Sequence, residues 1–385
     1  VSIMRVLVAL TYYRPYTSGL TIYAERLAVG LAQRGHHVTI LTSQYDPSLP
    51  THEVLRGVHV VRVPVAARIS KGVIMPTFGW EATKLSLTHD VMSLHMPQFD
   101  APGLALRGWL QRKPVVLTYH CDLQLPHGWF NRIVDRVVQV SNRAAGMLAT
   151  RIVAYTDDFA THSPYLSHFR PKVTIIPPPV EIADCSAAEV AAFKQRYNLQ
   201  GPVIGMAARL AAEKGVEVLL GALPRILAAH PTARVLFAGP FEQVLGEEAY
   251  ARRLAPLFEQ YRNHWTFLGT LGAHDLATFF SACDVITVPS LNSTESFGLV
   301  QVEAMLCGTP SVASNLPGVR QPVQQTGMGR VVPIGDAEAL AHAIVDIIDH
   351  PATYHRDRDR VASLFSTDLT VTRYEDLFRS LSGRN

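Results

Sequence analysis

The 385-residue chain has little cysteine. Cys121, Cys185, Cys283 and Cys307 stand far apart, with no C-x-x-C pair and no metal-ligand spacing, so neither a disulfide framework nor a zinc module is encoded. No apolar run approaches the roughly 20 residues needed to span a bilayer. Val1 to Arg5 lack the basic stretch and cleavage site of a secretory signal. There is no low-complexity tract, and 48% hydrophobic against 17% charged residues removes the disordered, collagen-like and coiled-coil classes. The loop Thr11–Gly19 holds no G-x-G-x-x-G, and neither G-x-x-x-x-G-K-[ST] nor H-E-x-x-H occurs. The common dinucleotide, P-loop and zinc-protease readings fall with them. A reduced, cytosolic, globular chain of about two domains' length is the expectation.

The net charge of +3 hides an asymmetry. Residues 1–179 hold 18 Lys/Arg against 10 Asp/Glu, and residues 180–385 hold 17 against 22. A basic first half suggests an anionic partner there, such as a membrane surface or a phosphorylated acceptor. No Lys/Arg-rich cluster or binding motif supports nucleic acid.

Short apolar runs bounded by polar residues suit buried parallel strands. Met4–Leu10 and His37–Thr42 are two, joined by a helical pattern from Ile22 to Leu31 that stops at Gly35. Val58–Val63, Val91–Leu94, Val115–Thr118, Ile152–Tyr155 and Val173–Ile176 continue the series. It restarts after Pro177-Pro178-Pro179 with Val203–Met206, Val235–Ala238, Thr266–Leu268, Val285–Val288 and Ser311–Ala313. Helical stretches separate them, among them Val216–Ala228, Ala251–Gln260 and Ala337–Ile348. The fold class is therefore α/β, with two doubly wound, Rossmann-like domains facing a central cleft. The expected division is 1–178, 179–365, and a C-terminal helix over 366–385 that packs back on the first domain.

The richest segment is Ser293 to Met305. It follows a strand ending at Val288 and opens a helix near Gly298, where free backbone N–H groups and a positive dipole end suit a phosphate. Glu295 and Glu303, eight residues apart, offer carboxylates to sugar or ribose hydroxyls. A capping glutamate and a solvated one are the plainer alternative. Arg209 and Lys214 sit five apart after the first strand of the second half and could converge on one anion. Glu213, beside Lys214, is an alternative salt-bridge partner. His120 ends a buried strand, where it either meets a bound sugar or acceptor or is a hydrogen-bonded structural residue. His95 is a similar case, structural or acceptor-lining. Asp157-Asp158, the one adjacent acid pair resembling a metal-binding signature, starts a predicted helix, and capping explains it better than a metal.

These residues resemble those of the retaining nucleotide-sugar glycosyltransferases of glycosyltransferase family 4, which have the GT-B fold. The resemblance runs over nearly the whole chain. Its most specific parts are Arg209 with Lys214, the E-x7-E pair Glu295 and Glu303, and the loop Phe297-Gly298-Leu299-Val300. It implies that the second half binds the donor and the first half the acceptor. Arg209 and Lys214 would hold the donor diphosphate and Glu303 the ribose. Glu295, Phe297, Gly298, Leu299 and Val300 would meet the sugar and phosphates, and His120 would stand near the donor sugar. Gly19 belongs to the phosphate-side loop, while Gly239-Pro240 and Gly269 to Leu271 approach the base. No metal and no cofactor is implied. The family's double glycine is Ser18-Gly19 here, its Pro-Asn-Gly-Val-Asp junction reads Pro178-Pro179-Val180-Glu181, and Arg320 replaces a frequent glutamate.

The expected activity is retaining, metal-independent transfer of a hexose from a UDP- or GDP-sugar to a glycan or glycolipid acceptor. Rivals are a GT-B nucleotide-sugar epimerase and a non-catalytic nucleotide-sugar-binding protein. On a predicted helix over Trp129–Thr150, Arg132, Arg136 and Arg143 fall within about 40° of one another. That stripe is a candidate contact for an anionic lipid surface or acceptor, which would make the protein peripheral on the inner face of the plasma membrane. A solvated charged face is the plainer account.

Overall fold

A computed structural model describes residues 3–69, 72–122, 129–244 and 246–383, apart from the side chains of residues 69 and 129–135. The chain divides into two compact units, residues 1–179 with 365–385, and residues 180–364.

The first unit is built on strands β1 (Arg5–Ala9), β2 (His37–Gln44), β3 (His52–Leu55), β4 (Val58–Pro64), β7 (Val91–Met96), β8 (Val115–Tyr119), β9 (Arg151–Ala154) and β10 (Val173–Ile175). A separate hairpin pairs β5 (Ala67–Ile69) with β6 (Gly72–Ile74). The sheet order is β10-β9-β8-β7-β1-β2-β4-β3, parallel except for β3, which runs antiparallel to β4. Helices cover both faces of its middle, so β7 and β8 are buried at every position and read as largely apolar runs. Helix α1 (Gly19–Gln33) starts where the Ser18 hydroxyl accepts the Thr21 N–H at 3.2 Å. Helices α2 (Phe78–Thr88), α3 (Ala101–Leu110) and α4 (Trp129–Leu148) follow in order.

The C-terminal helix, Thr367–Ser382, belongs to this unit and packs on α1. The Tyr23 and Tyr374 hydroxyls meet at 2.8 Å, and Arg34 donates to Glu375 at 2.9 Å. Glu375 also meets His36 Nε2 at 3.0 Å.

The second unit holds a six-stranded parallel sheet of β11 (Val203–Ala207), β12 (Arg234–Ala238), β13 (Trp265–Gly269), β14 (Val285–Val288), β15 (Ser311–Ser314) and β16 (Gly329–Val332). Its order, β13-β12-β11-β14-β15-β16, is doubly wound and reverses between β11 and β14. The first sheet reverses likewise between β1 and β7. Ligands of such sheets lie outside the carboxyl ends of the strands at the reversal. The loops that matter are thus those after β1 and β7 in one unit, and after β11 and β14 in the other.

Four strands carry no signal in the sequence pattern. β3, β5 and β6 are short edge or hairpin strands with mixed polarity, and β16 begins Gly-Arg. Asp157 and Asp158 lie in the first turn of a helix whose cap is Thr156, its hydroxyl accepting the Phe159 N–H at 3.1 Å.

Candidate active site

The two loops at the reversal of the second sheet meet through side chains. Lys214 lies on the loop after β11 and Glu295 on the loop after β14, and Lys214 Nζ donates to Glu295 Oε2 at 2.7 Å. The other carboxylate oxygen, Oε1, accepts the Gly298 N–H at 2.9 Å. Burial alone would raise the Glu295 carboxyl, but the Lys214 ammonium and the Gly298 and Phe297 N–H groups hold it below its ordinary value. The result is a fixed charge pair at the sheet's carboxyl edge.

Arg209, on the same loop as Lys214, pairs with Glu213 four residues on. Glu213 is therefore the partner of Arg209 and not of Lys214. Its carbonyl also accepts the Leu291 N–H at 2.9 Å, tying the β11 loop to the β14 loop. Gly215 ends the first loop with φ +67, and a Cβ there would lie 2.1 Å from the Pro289 carbonyl oxygen. Only glycine allows that approach of the two loops.

Gly298 has φ +75 and caps the helix Leu299–Leu306. Glu303 is buried in that helix, one turn in. Gln301 beside it donates to the Phe297 carbonyl at 3.1 Å and to the Val319 carbonyl at 3.0 Å, fixing the helix start. Phe297 is buried, while Leu299 and Val300 are half-buried at the first turn. Gly239 follows β12 at the same edge, its N–H on the Gly269 carbonyl at 2.7 Å, and the Leu210 N–H reaches the Pro240 carbonyl at 2.8 Å. Leu271 is half-buried after β13. Arg320 lies further off in the chain and donates to Asn315 at 2.9 Å. The second unit thus gathers two cations and Glu295 on the loops of one edge, with Glu303 one turn into the helix behind them.

In the first unit, Gly19 is the exposed first residue of α1. His120 stands immediately beyond β8 and is buried. Its Nε2 meets His95 Nδ1 at 2.9 Å, and its Nδ1 meets the Tyr155 hydroxyl. Tyr23 packs edge-on to the His120 ring at 4.9 Å, and Tyr374 bridges Tyr23 to the Thr118 hydroxyl at 2.7 Å. Burial pushes His95 down to about 3, and burial with the His95 ring holds His120 well below the ordinary value for histidine. Both imidazoles are neutral at pH 7, so each offers one donor and one acceptor nitrogen. Sequence reasoning singled out the two histidines but not Tyr155, Tyr23 or Tyr374. Pairing of β8 with β7 and with β9, and docking of the terminal helix on α1, bring these groups together, and no spacing encodes any of it.

Arg136 and Arg143 are exposed on α4. The Arg132 side chain lies outside the described residues. Among the described residues no three His, Cys, Asp or Glu groups stand close enough to hold a metal ion. None of the described helices is long and apolar enough to cross a membrane.

Known proteins resemble this chain in sequence and fold. Residues 188–362 match the family model for glycosyl transferases group 1, and residues 18–179 match that for the glycosyl transferase 4-like domain. The chain is 27% identical over 361 residues to phosphatidyl-myo-inositol mannosyltransferase of Mycobacterium leprae, covering 90% of this chain and 87% of that protein. It is 28% identical over 409 residues to glycogen synthase of Mycobacterium tuberculosis, covering 96% and 93%. Among solved structures, sucrose-phosphate synthase of Thermosynechococcus elongatus superposes with a TM-score of 0.78 at 24% identity, over 99% of this chain and all of that one. Anabaena HepE in complex with UDP-glucose gives 0.78 at 19% identity, over 98% of this chain and all of that one. The structural likenesses carry the fold, which is GT-B.

Proposed function

The chain belongs to the family-4-like GT-B glycosyltransferases, and from that premise we propose that it is a retaining, metal-independent hexosyltransferase. Its donor is a UDP- or GDP-sugar, and its acceptor is a glycan or glycolipid of cell-envelope or exopolysaccharide biosynthesis. The observation that carries the reading is the Lys214–Glu295 pair, with Arg209 on the same loop as Lys214, at the reversal of the second sheet. The names of two relatives, a phosphatidyl-myo-inositol mannosyltransferase and a glycogen synthase, support a hexose as the group moved and a lipid-linked or polymeric acceptor.

In this reading the second unit binds donor and the first binds acceptor. Lys214 and Arg209 take the diphosphate, and Glu295 orients Lys214 while the N-terminus of Leu299–Leu306 faces the phosphates. The bond from the anomeric carbon to the diphosphate oxygen breaks as the acceptor oxygen bonds that carbon on the same face. The acceptor proton passes to the departing diphosphate, so no protein base is obligatory. The two cations stabilise the charge that grows on the leaving group. His120, neutral and tied to His95 and Tyr155, serves as a fixed hydrogen-bonding group and not as a cation. Localisation is cytoplasmic and peripheral to the plasma membrane.

The test is nucleotide release and product mass from a panel of UDP- and GDP-sugars, with and without a mixed glycan and lipid acceptor pool. Release from one donor with a hexose gain on an acceptor is the expected outcome. Donor conversion without acceptor would instead indicate an epimerase, and binding with no turnover a carrier. Glu303→Ala should raise the donor KM by about tenfold or more with kcat changed much less, since a ribose contact is uniform between ground and transition state. A pure kcat defect would remove Glu303 from that role.

A further inference from the structure

The outward face of α3 is wholly apolar. Its exposed positions are Leu106, Trp109 and Leu110, the last two 61% and 66% exposed, and Phe99 just before the helix is 66% exposed. Arg107, the one charged residue of α3, turns instead to the neighbouring helix, donating to Thr83 at 2.8 Å and to the Gly79 carbonyl at 3.0 Å. A surface helix ordinarily turns its polar side outward.

The face continues onto both neighbours. On α2, Trp80 and Leu87 are exposed and seven residues apart, hence on one side. Gln111 after α3 donates to Ser86 at 2.9 Å, which together with Arg107 fixes α2 against α3. On α4, Val137, Val140 and Met147 are exposed beside Arg136 and Arg143, and Ser141 of that helix donates to the Phe99 carbonyl at 3.4 Å. An exposed apolar surface spread over three helices marks an interaction site, whereas scattered single residues need no explanation.

Charge selects the occupant. The sequences of α2, α3 and α4 carry five cations, Lys84, Arg107, Arg132, Arg136 and Arg143, against the two acids Glu81 and Asp135. Glu81 is tied to Lys84 at 3.0 Å, and the Lys84 ammonium lies 5.4 Å from the Trp80 ring centre. Tryptophans and leucines flanked by cations are the chemistry of a bilayer interface with anionic headgroups. A symmetric contact with a second copy would set the same cations against each other.

We propose that the outer surface of α2, α3 and α4, centred on Trp109, is a docking surface for an anionic lipid bilayer. Trp80, Phe99, Leu106, Trp109 and Leu110 enter the headgroup boundary, and Lys84, Arg136 and Arg143 meet the lipid phosphates. This goes beyond peripheral localisation by naming the surface, and it rests on no step of hexosyl transfer.

The test is sedimentation of the full chain with phosphatidylcholine vesicles, with and without about 30% phosphatidylglycerol, at low salt and at about 0.5 M salt. Binding should be roughly tenfold stronger with phosphatidylglycerol at low salt and fall as salt rises. Leu106→Ser with Trp109→Ser and Leu110→Ser should cut it by about tenfold or more, leaving the thermal melt and nucleotide binding unchanged. Should that variant fold poorly, quenching of the wild-type tryptophans by bromine-labelled acyl chains decides the matter, with Trp109→Phe assigning the signal. Trp265 is buried and outside the reach of lipid. Absence of both sedimentation and quenching overturns the proposal. A concentration-dependent dimer abolished by the triple variant, without vesicle binding, also overturns it and gives the face to a second copy.

Discussion

Lys214→Ala should lower kcat by about 10²–10³-fold while weakening the binding of the nucleoside diphosphate by less than about tenfold. In the proposed mechanism the difference arises because the ammonium meets charge that grows only as the glycosyl bond breaks. Two effects are mixed in this variant. It removes the cation, and it also leaves the Glu295 carboxylate, now held at 2.7 Å by Lys214, with its backbone N–H partners but no neutralising cation. Lys214→Ala combined with Glu295→Gln separates them. If loss of the cation dominates, the double variant stays as slow as the single one. Recovery in the double variant would mean that repulsion from Glu295 caused the defect, and equal losses in kcat and nucleotide affinity would mean simple binding.

Gly215→Ala should be nearly as damaging for a different reason. Its Cβ would sit 2.1 Å from the Pro289 carbonyl oxygen at a backbone φ of +67. Backbone cannot step aside as a flexible side chain does, so the β11 and β14 loops must separate. Positive φ alone costs an L-residue about 1–3 kcal/mol. For a domain of this size, that lowers the melting midpoint of the second unit by roughly 5–10 °C once the clash is added. The Lys214–Glu295 contact spans the same two loops, so turnover should fall by about tenfold or more even well below the melt. Calorimetry with kinetics at a lower temperature checks both. A variant with normal kcat and normal melting would show that the two loops tolerate separation.

Buried parallel strands were legible because both of their faces are covered. β7 and β8 are apolar at nearly every position, and their runs stand out against polar flanks. β16 and β3 were silent because their positions are only partly buried and their residues mixed. The loops after β11 and β14 also declared themselves, since cations, glycine and glutamates sit directly behind apolar runs. Which side chains pair was a different matter. Glu213 lies next to Lys214 in sequence, yet it holds Arg209, and Lys214 reaches Glu295 across 81 positions. That choice follows from β11 and β14 being neighbours at the sheet reversal, which sequence spacing does not encode. The same holds for His95 and His120, 25 residues apart and joined only by the pairing of β7 with β8. The apolar outer face of α3 was hidden for a further reason. Leu104 and Leu106 look alike in the sequence, and only the packed structure shows one inside and the other out.

The most direct test of retaining hexosyl transfer without a metal at this cation site is the anomeric configuration of fresh product, followed by proton NMR with excess chelator present. An α-linked donor sugar, an acceptor from the active pool and the wild-type chain suffice. The account predicts an α-linked product from the first turnovers, formed at the same rate with and without chelator. A β-linked first product, or turnover that stops with chelator and returns with a divalent cation, would contradict it.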